Sequence, residues 1–387
     1  MKIALVLPRF GPHAGGVERY AWELAHGIAR AGHEAHVVCH RGESDGTEGI
    51  RLREVPVVRW HNALKIASYA RNADRLVTES ASEFDVVHGF GRTTVHDLYR
   101  VGGGVHRAYL ARMRAESPGG WLGLWQRVDP RNWVIDRIED QVFRRGTGRR
   151  FTAISRLCAR DVEEHYGIPA GEIEVIYNGV DVEAFHPRNR ERSREPFRRR
   201  HNLRDDEVAF LFVGSGFHRK GLDTLIDALA ELAGEAPVRL FVVGKGSEGA
   251  YRRQVRKRSL EEKVWFLGPR RDLADLYAMS DVFVLPTRYE PFGTVCLEAW
   301  ATGLPVVVGR MSGASEVMTP GEHGAILEDH GSASELAGKL RPFLSASERA
   351  RVAPLARDLA CRHTIDANIA RTIAIYGEIA QARGGKR

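Results

Sequence analysis

The sequence predicts an α/β protein built from two doubly wound, parallel-sheet, Rossmann-like domains. Three observations carry that expectation. Strand and helix periods alternate along the chain, the alternation starts afresh after a turn-rich break at Tyr177–Pro187, and 387 residues exceed the size at which one core keeps growing.

In the first series, Ile3–Leu7, Glu34–Cys39, Leu52–Val57 and Asp85–His88 read as strands. Helical periods at Val17–Ala31 and Ala63–Ser82 separate them, which is the pattern of a parallel sheet covered on both faces. The break Tyr177-Asn-Gly-Val-Asp-Val-Glu-Ala-Phe-His-Pro187 holds a turn dipeptide and a terminating proline. The second series has strands at Ala209–Val213, Val238–Val243, Val264–Leu267, Val282–Leu285 and Pro305–Val308. Helices at Gly221–Ala233, Ser247–Arg258 and Asp272–Met279 lie between them. The division expected is an acceptor-side domain over 1–178, a linker over 179–204, a second domain over 205–364 and a terminal helical segment over 365–387. Eight arginines against two acids in Arg188–Arg204 suggest an exposed, solvated run that includes a first helix.

The apolar fraction of 43% is ordinary and no apolar run approaches a bilayer span, so a folded protein of the cytosol is expected. The start Lys2-Ile-Ala-Leu-Val-Leu-Pro8 is too short for a signal h-region and reads as a buried strand. Cys39, Cys158, Cys296 and Cys361 are scattered without metal-like spacing, which fits ordinary buried thiols in a reducing compartment. A formal charge of +7 invites anionic partners. Most of it is local: Tyr99–Arg150 carries eleven arginines against five acids, interleaved with Trp121, Trp125, Trp133, Leu110, Leu122 and Leu124. That mixture suits an anionic membrane surface, or else a helix packing its own tryptophans.

Ligands of doubly wound sheets bind at the carboxyl ends of the strands, where the strand order reverses, so two such domains face to face make a cleft. Three loops are placed to enter it. In Pro8–Arg19, Gly15 and Gly16 immediately precede a helix and can seat a phosphate on backbone N–H groups. In Val213-Gly-Ser-Gly-Phe-His-Arg-Lys-Gly-Leu222, Gly214 follows a strand, and Arg219 with Lys220 stands at a helix entrance. Cations there oppose the helix dipole unless an anion arrives. In Glu290-Pro-Phe-Gly-Thr-Val-Cys-Leu-Glu298 one carboxylate lies in a strand-to-helix loop and the next inside the helix. Gly293 lets a ligand approach the main chain closely, and the helix that begins after it offers its first N–H groups and positive dipole end to an anion. The plainer alternative makes Glu290 a helix cap and Glu298 a solvated carboxylate.

Taken together, these three elements resemble retaining GT-B glycosyltransferases of family 4, over essentially the whole chain. Within that family Val213–Leu225 and the arginine-rich first half look similar to the lipopolysaccharide-core glucosyltransferase I group. The resemblance implies that Glu290 and the amides of Phe292, Gly293 and Thr294 hold the donor sugar, and that Glu298 takes the ribose hydroxyls. It further implies that Gly15, Gly16 and Gly214 approach the donor, that Arg219 and Lys220 neutralise the departing diphosphate, and that the loop of Arg270 lines the base. By the same resemblance, His106 contacts the donor sugar at the end of a strand, and the terminal helix crosses back to the first domain. Asp97 is a candidate on the acceptor side.

The reading that follows is a retaining, metal-independent hexosyltransferase at the inner membrane face, catalysed by Glu290, Lys220, Arg219 and His106. The expected donor is a nucleoside diphosphate sugar, UDP-glucose foremost, and no cofactor is required. The expected acceptor is a lipopolysaccharide-core or other bacterial glycan or glycolipid. Same-face attack is the route the family implies for retention, in place of the carboxylate nucleophile of retaining glycosidases. A nucleotide-sugar epimerase of GT-B fold is the enzymatic alternative and a nucleic-acid-binding module the non-enzymatic one. No recognition motif supports nucleic acid. A nicotinamide dehydrogenase lacks its Gly-x-Gly-x-x-Gly after the first strand.

Overall fold

A computed structural model describes residues 1–43, 46, 48–115, 128–144 and 149–384. The chain forms two compact units, Met1–Tyr177 with Ile365–Arg387, and Asn178–Thr364. Each is built around its own parallel sheet.

In the first unit the strands are β1 (Lys2–Val6), β3 (Glu34–Cys39), β5 (Ile50–Glu54), β6 (Val86–Gly89), β7 (Leu98–Val101), β8 (Arg150–Ala153) and β9 (Ile173–Val175). They pair in the order β5-β3-β1-β6-β7-β8-β9. Two short strands, β2 (Arg9–Phe10) and β4 (Arg41–Gly42), pair beyond the carboxyl ends of β1 and β3. Along β1 the side chains alternate between two cores: Ile3 and Leu5 enter one, Ala4 and Val6 the other. Burial on both faces is why this strand reads as one apolar run. The final helix, Ile365–Gly384, packs Ile369, Ile375, Tyr376 and Ile379 into the first of those cores. Tyr376 also shares a 2.6 Å hydrogen bond with His88 Nδ1 in β6.

The second unit contains β10 (Val208–Val213), β11 (Val238–Val243), β12 (Val264–Gly268), β13 (Val282–Leu285), β14 (Val306–Gly309) and β15 (Gly324–Leu327). Their order is β12-β11-β10-β13-β14-β15, all parallel. The order reverses at β10 and β13, so the loops leaving those two strands flank a crevice where a ligand fits.

Three sequence expectations need correction. Strands β8, β9 and β15, with the short β2 and β4, are additional to the predicted set, and the short strand expected before His106 is β7. Arg188–Arg204 is not a solvated run: it contains the helix Asn189–Arg200, from which Arg194 and Arg198 reach Asp281, with Arg198 itself buried. The charges share one face at intervals of four residues and meet a buried carboxylate, which no count of arginines reveals. Finally, Cys361 is exposed, while the other three thiols are free and buried as expected.

Among the described residues, no helix is long and apolar enough to cross a membrane. In the Tyr99–Arg150 segment, Trp121, Trp125, Leu122 and Leu124 lie outside the described residues. Leu110 is buried, whereas Trp133 is 61% exposed with the Arg137 guanidinium 4.8 Å from its ring. Several of its arginines have acidic partners, Arg107 with Asp140, Arg112 with Asp161 and Arg150 with Glu378.

Candidate functional site

The carboxyl edge of the second sheet assembles the site. The loop after β10 carries Gly214 to Gly221 and the loop after β13 carries Pro286 to Gly293, and the adjacency of those strands brings the two loops together. One backbone and one side-chain bond fix the contact: Arg288 N donates to Arg219 O at 2.9 Å, and Thr287 Oγ1 to the same oxygen at 3.0 Å. Gly221 sits at φ 73°, where a Cβ would lie 2.0 Å from the Pro286 carbonyl oxygen. Only a residue without a side chain permits that approach.

Within this frame Arg219 Nη1 donates to Glu290 Oε2 at 2.7 Å and to the Tyr289 carbonyl at 2.8 Å. Lys220 Nζ lies 2.8 Å from the same Glu290 oxygen. The lysine stem crosses Gly214, where a Cβ would meet Lys220 Cδ at 2.5 Å. Burial pushes the Glu290 carboxyl upward, but the Lys220 ammonium and Arg219 guanidinium outweigh it and hold the group at about 2, below its ordinary 4.5. The cations at this helix entrance thus have an anion supplied by the protein itself. The conflict with the helix dipole is answered internally.

A depressed pKa stabilises the fold above the unfolded value and withdraws that stability as pH falls through the folded one. The stability difference between the wild type and Glu290→Gln should therefore shrink as pH falls from 4.5 towards 2. Urea unfolding at a series of pH values measures it, and a difference independent of pH would contradict the coupling.

The remaining donor-side candidates surround this cluster. Glu290 N donates to Met311 O and Gly313 N to Glu290 O, which stitches the loop to the segment after β14. The Phe292 carbonyl accepts from Ala314 N and from Ser312 Oγ, both at 2.8 Å. Gly293, at φ 90°, precedes the helix Thr294–Ala301, and Thr294 Oγ1 accepts from Asn178 Nδ2 at 2.8 Å. No side chain caps that helix start, and in its first turn Cys296 N donates to the Gly293 carbonyl at 2.9 Å. Glu298 is 2% exposed, and its Oε2 accepts from Tyr277 Oη at 2.9 Å. That burial excludes the solvated-carboxylate alternative. Arg270 is two residues beyond β12 and pairs with Asp272.

In the first unit, Gly15 and Gly16 begin the helix Gly16–Arg30 after β1 and β2. A Cβ at Gly15 would lie 2.5 Å from the Glu18 carboxylate, whereas one at Gly16 would meet open space. His106 opens the helix His106–Ala115 beyond the carboxyl end of β7. Its backbone N–H donates to Glu139, and its Nε2 shares a 3.0 Å bond with Asn132 Oδ1. Burial, and after it the Arg92 charge, push its imidazole down to about 4. Asp97 does not join this group. It precedes β7 at the opposite, amino edge of the sheet, accepts from Val87 N at 2.8 Å and pairs with Arg383. Its carboxylate is spent on holding β6, β7 and the last helix together, so its acceptor-side role is withdrawn.

Three participants were missed from the sequence: Tyr277, Ser312 and the Arg288–Asp223 pair. Arg288 makes a bidentate bond to Asp223 at 2.8 and 2.9 Å beside the Arg219 loop. None carries a local signal, because each acts on a residue far away in the chain. Among the described residues, no group of three or more His, Cys, Asp or Glu side chains could hold a metal ion.

The sequence matches Glycosyltransferase Family 4 over residues 14–184 and Glycosyl transferases group 1 over residues 193–357. The D-inositol 3-phosphate glycosyltransferase of Xylanimonas cellulosilytica is 30% identical over 407 residues, covering 96% of this chain and 93% of that protein. The chain belongs to the family 4 glycosyltransferases. The lipopolysaccharide glucosyltransferase WaaG of Escherichia coli is 26% identical to this glycosyltransferase over 349 residues, 90% of each chain. A crystal structure of WaaG, described as a glycosyltransferase involved in lipopolysaccharide biosynthesis, matches with a TM-score of 0.83 at 25% identity, covering 97% of this chain and 99% of that one. The fold is also that of Anabaena Alr3699/HepE, solved in complex with UDP-glucose, at a TM-score of 0.71 and 20% identity over 97% of this chain and 99% of that one. The two parallel-sheet units are therefore those of the GT-B glycosyltransferases.

Proposed function

We propose that this glycosyltransferase moves glucose, with retention and without a metal, from UDP-glucose to the saccharide of a lipopolysaccharide-core or similar bacterial glycan. The observation that carries the proposal is the cluster of Glu290 with Arg219 and Lys220 at the point where strand order reverses. Departure of a nucleoside diphosphate develops negative charge on its phosphate, and two fixed cations nearby lower the energy of that state. Arg219 commits Nη1 to Glu290 and Tyr289. Among the described residues its Nε and Nη2 are left for the diphosphate.

In this reading Glu290 and the Phe292, Gly293 and Thr294 amides hold the sugar, Glu298 the ribose, and Arg270 the base side. Gly15 and Gly16 approach the phosphates, and His106 faces the sugar. Glucose as the transferred hexose is supported by the similarity to a lipopolysaccharide glucosyltransferase. Peripheral attachment to the inner membrane through Tyr99–Arg150 is part of the proposal. Retained flotation with anionic vesicles at low salt supports it and no flotation removes it.

The deciding experiment incubates the enzyme with UDP-glucose and a core oligosaccharide lacking outer hexoses, with and without EDTA. A product heavier by one hexose, formed equally in both and carrying the donor's anomeric configuration, is expected. An isomerised donor with no transfer would identify an epimerase instead, and loss with EDTA would remove the metal-free mechanism.

A further expectation concerns Tyr277. Its hydroxyl is lost in Tyr277→Phe, leaving a buried Glu298 oxygen without that donor. The KM for the nucleotide sugar should rise about 5- to 10-fold, the scale of one ordinary hydrogen bond, because the lost donor acts on Glu298 and not on the nucleotide itself, with kcat little changed. Unchanged KM would place Glu298 outside the nucleotide contacts.

A further inference from the structure

The arginine-rich helix Asn189–Arg200 has no part in the carboxyl-edge site, yet it lines the other end of the same sheet. There a cavity of about 510 Å³ opens beside Asp281, the residue before β13, and Thr302–Pro305, the residues before β14. Arg190, Arg194, Arg349 and Arg357 line it with a single carboxylate, Asp281. Its remaining wall is apolar and includes Leu304, Ala350 and Pro354. Small residues on the helix Ala346–Cys361 leave the space open, and Pro354 lies inside that helix where it passes.

The carboxylate is oversubscribed. Asp281 Oδ1 accepts from Arg194 Nη2 at 2.7 Å and lies 3.8 Å from both Arg190 and Arg349, while Oδ2 takes Arg198 at 3.2 Å and the Ala209 amide at 2.9 Å. Backbone carbonyls share the remainder: Arg190 and Arg194 donate to Ser280, Arg349 to Phe343 and Leu344, and Arg357 to Val182, Phe185 and Ala301. Carbonyl dipoles satisfy donors but do not cancel net charge. Burial, and next the neighbouring Arg194, pull the Arg190 guanidinium down to about 10, so the protein alone does not fully compensate this cluster. A multivalent oxyanion would supply what is missing, since guanidinium forks match phosphate oxygens in pairs.

We propose that this cavity is a second anion site, taking a compact phosphate-bearing molecule at the amino edge of the second sheet, independent of the sugar donor. Inorganic phosphate is the probe, added to the full-length protein at constant ionic strength while thermal unfolding is followed. At phosphate well above its dissociation constant, an upward Tm shift of about 2–4 °C is expected. The shift should persist in Lys220→Met, which disables the diphosphate contact at the other edge. It should vanish in Arg190→Gln/Arg349→Gln and in Ala350→Leu, which fills the cavity without altering charge. A shift that survives both of these changes overturns the proposal, as does one lost in Lys220→Met, because phosphate would then be reporting the donor site. No shift in the wild type overturns it directly.

Discussion

Glu290→Gln is expected to lower kcat/KM for hexose transfer by about 10²- to 10³-fold, the scale set by removing one preorganised electrostatic partner from a transition state. The amide is nearly isosteric and still offers an oxygen to Arg219 and Lys220, so the fold should survive. What disappears is the negative charge that holds both cations within 2.8 Å of one point. Lys220→Met should produce a loss of the same order from the opposite side, by leaving the departing diphosphate short of a cation. The two losses should combine less than additively in the double variant, because both residues serve one cluster. Steady-state transfer assays on protein with unaltered circular dichroism measure all three. Near-normal turnover in either single variant would remove Glu290 and Lys220 from the catalytic assignment.

Asp281→Ala should destabilise the second unit by about 3–5 kcal/mol, the usual consequence of removing one partner from a buried ionic cluster. Arg194 and Arg198 would lose their carboxylate and the Ala209 amide its acceptor. Burial raises the Asp281 carboxyl, but Arg194 and Arg349 pull it below its ordinary range, so at neutral pH the group is charged and the loss is present in full. Urea denaturation gives the number. A change under about 1 kcal/mol would mean that the backbone carbonyls alone anchor these arginines, as at an ordinary exposed ion pair.

The parts of the fold legible in the sequence are those whose burial is uniform. Val208–Val213 and Val282–Leu285 are buried at every position, and such continuous apolar runs announce central parallel strands. The short strand before Gly102 had no legible bounds, because Leu98-Tyr-Arg-Val buries a cation: Arg100 sits 3.7 Å over the Tyr20 ring, a solution that composition does not suggest. At four and three residues, β8 and β9 are too short to display a period.

At the site the loops were legible because glycine, charge and helix starts coincide within a few residues. That Glu290 answers Arg219 and Lys220 was not, since the pairing depends on β13 lying beside β10, about 70 residues away in the chain. Asp97 failed for a related reason. Proximity in sequence to His106 concealed that the intervening strand carries the two residues to opposite edges of the sheet.

The 2.0 Å separation that a Cβ at Gly221 would have from the Pro286 carbonyl sets a practical limit on redesign. Two main chains in van der Waals contact cannot be lengthened or exchanged one at a time, because any insertion in either displaces the other together with its charges. Libraries aimed at a new donor are better directed to a part-exposed side chain outside both loops, such as Arg270, with the pair of loops inherited as one inseparable cassette.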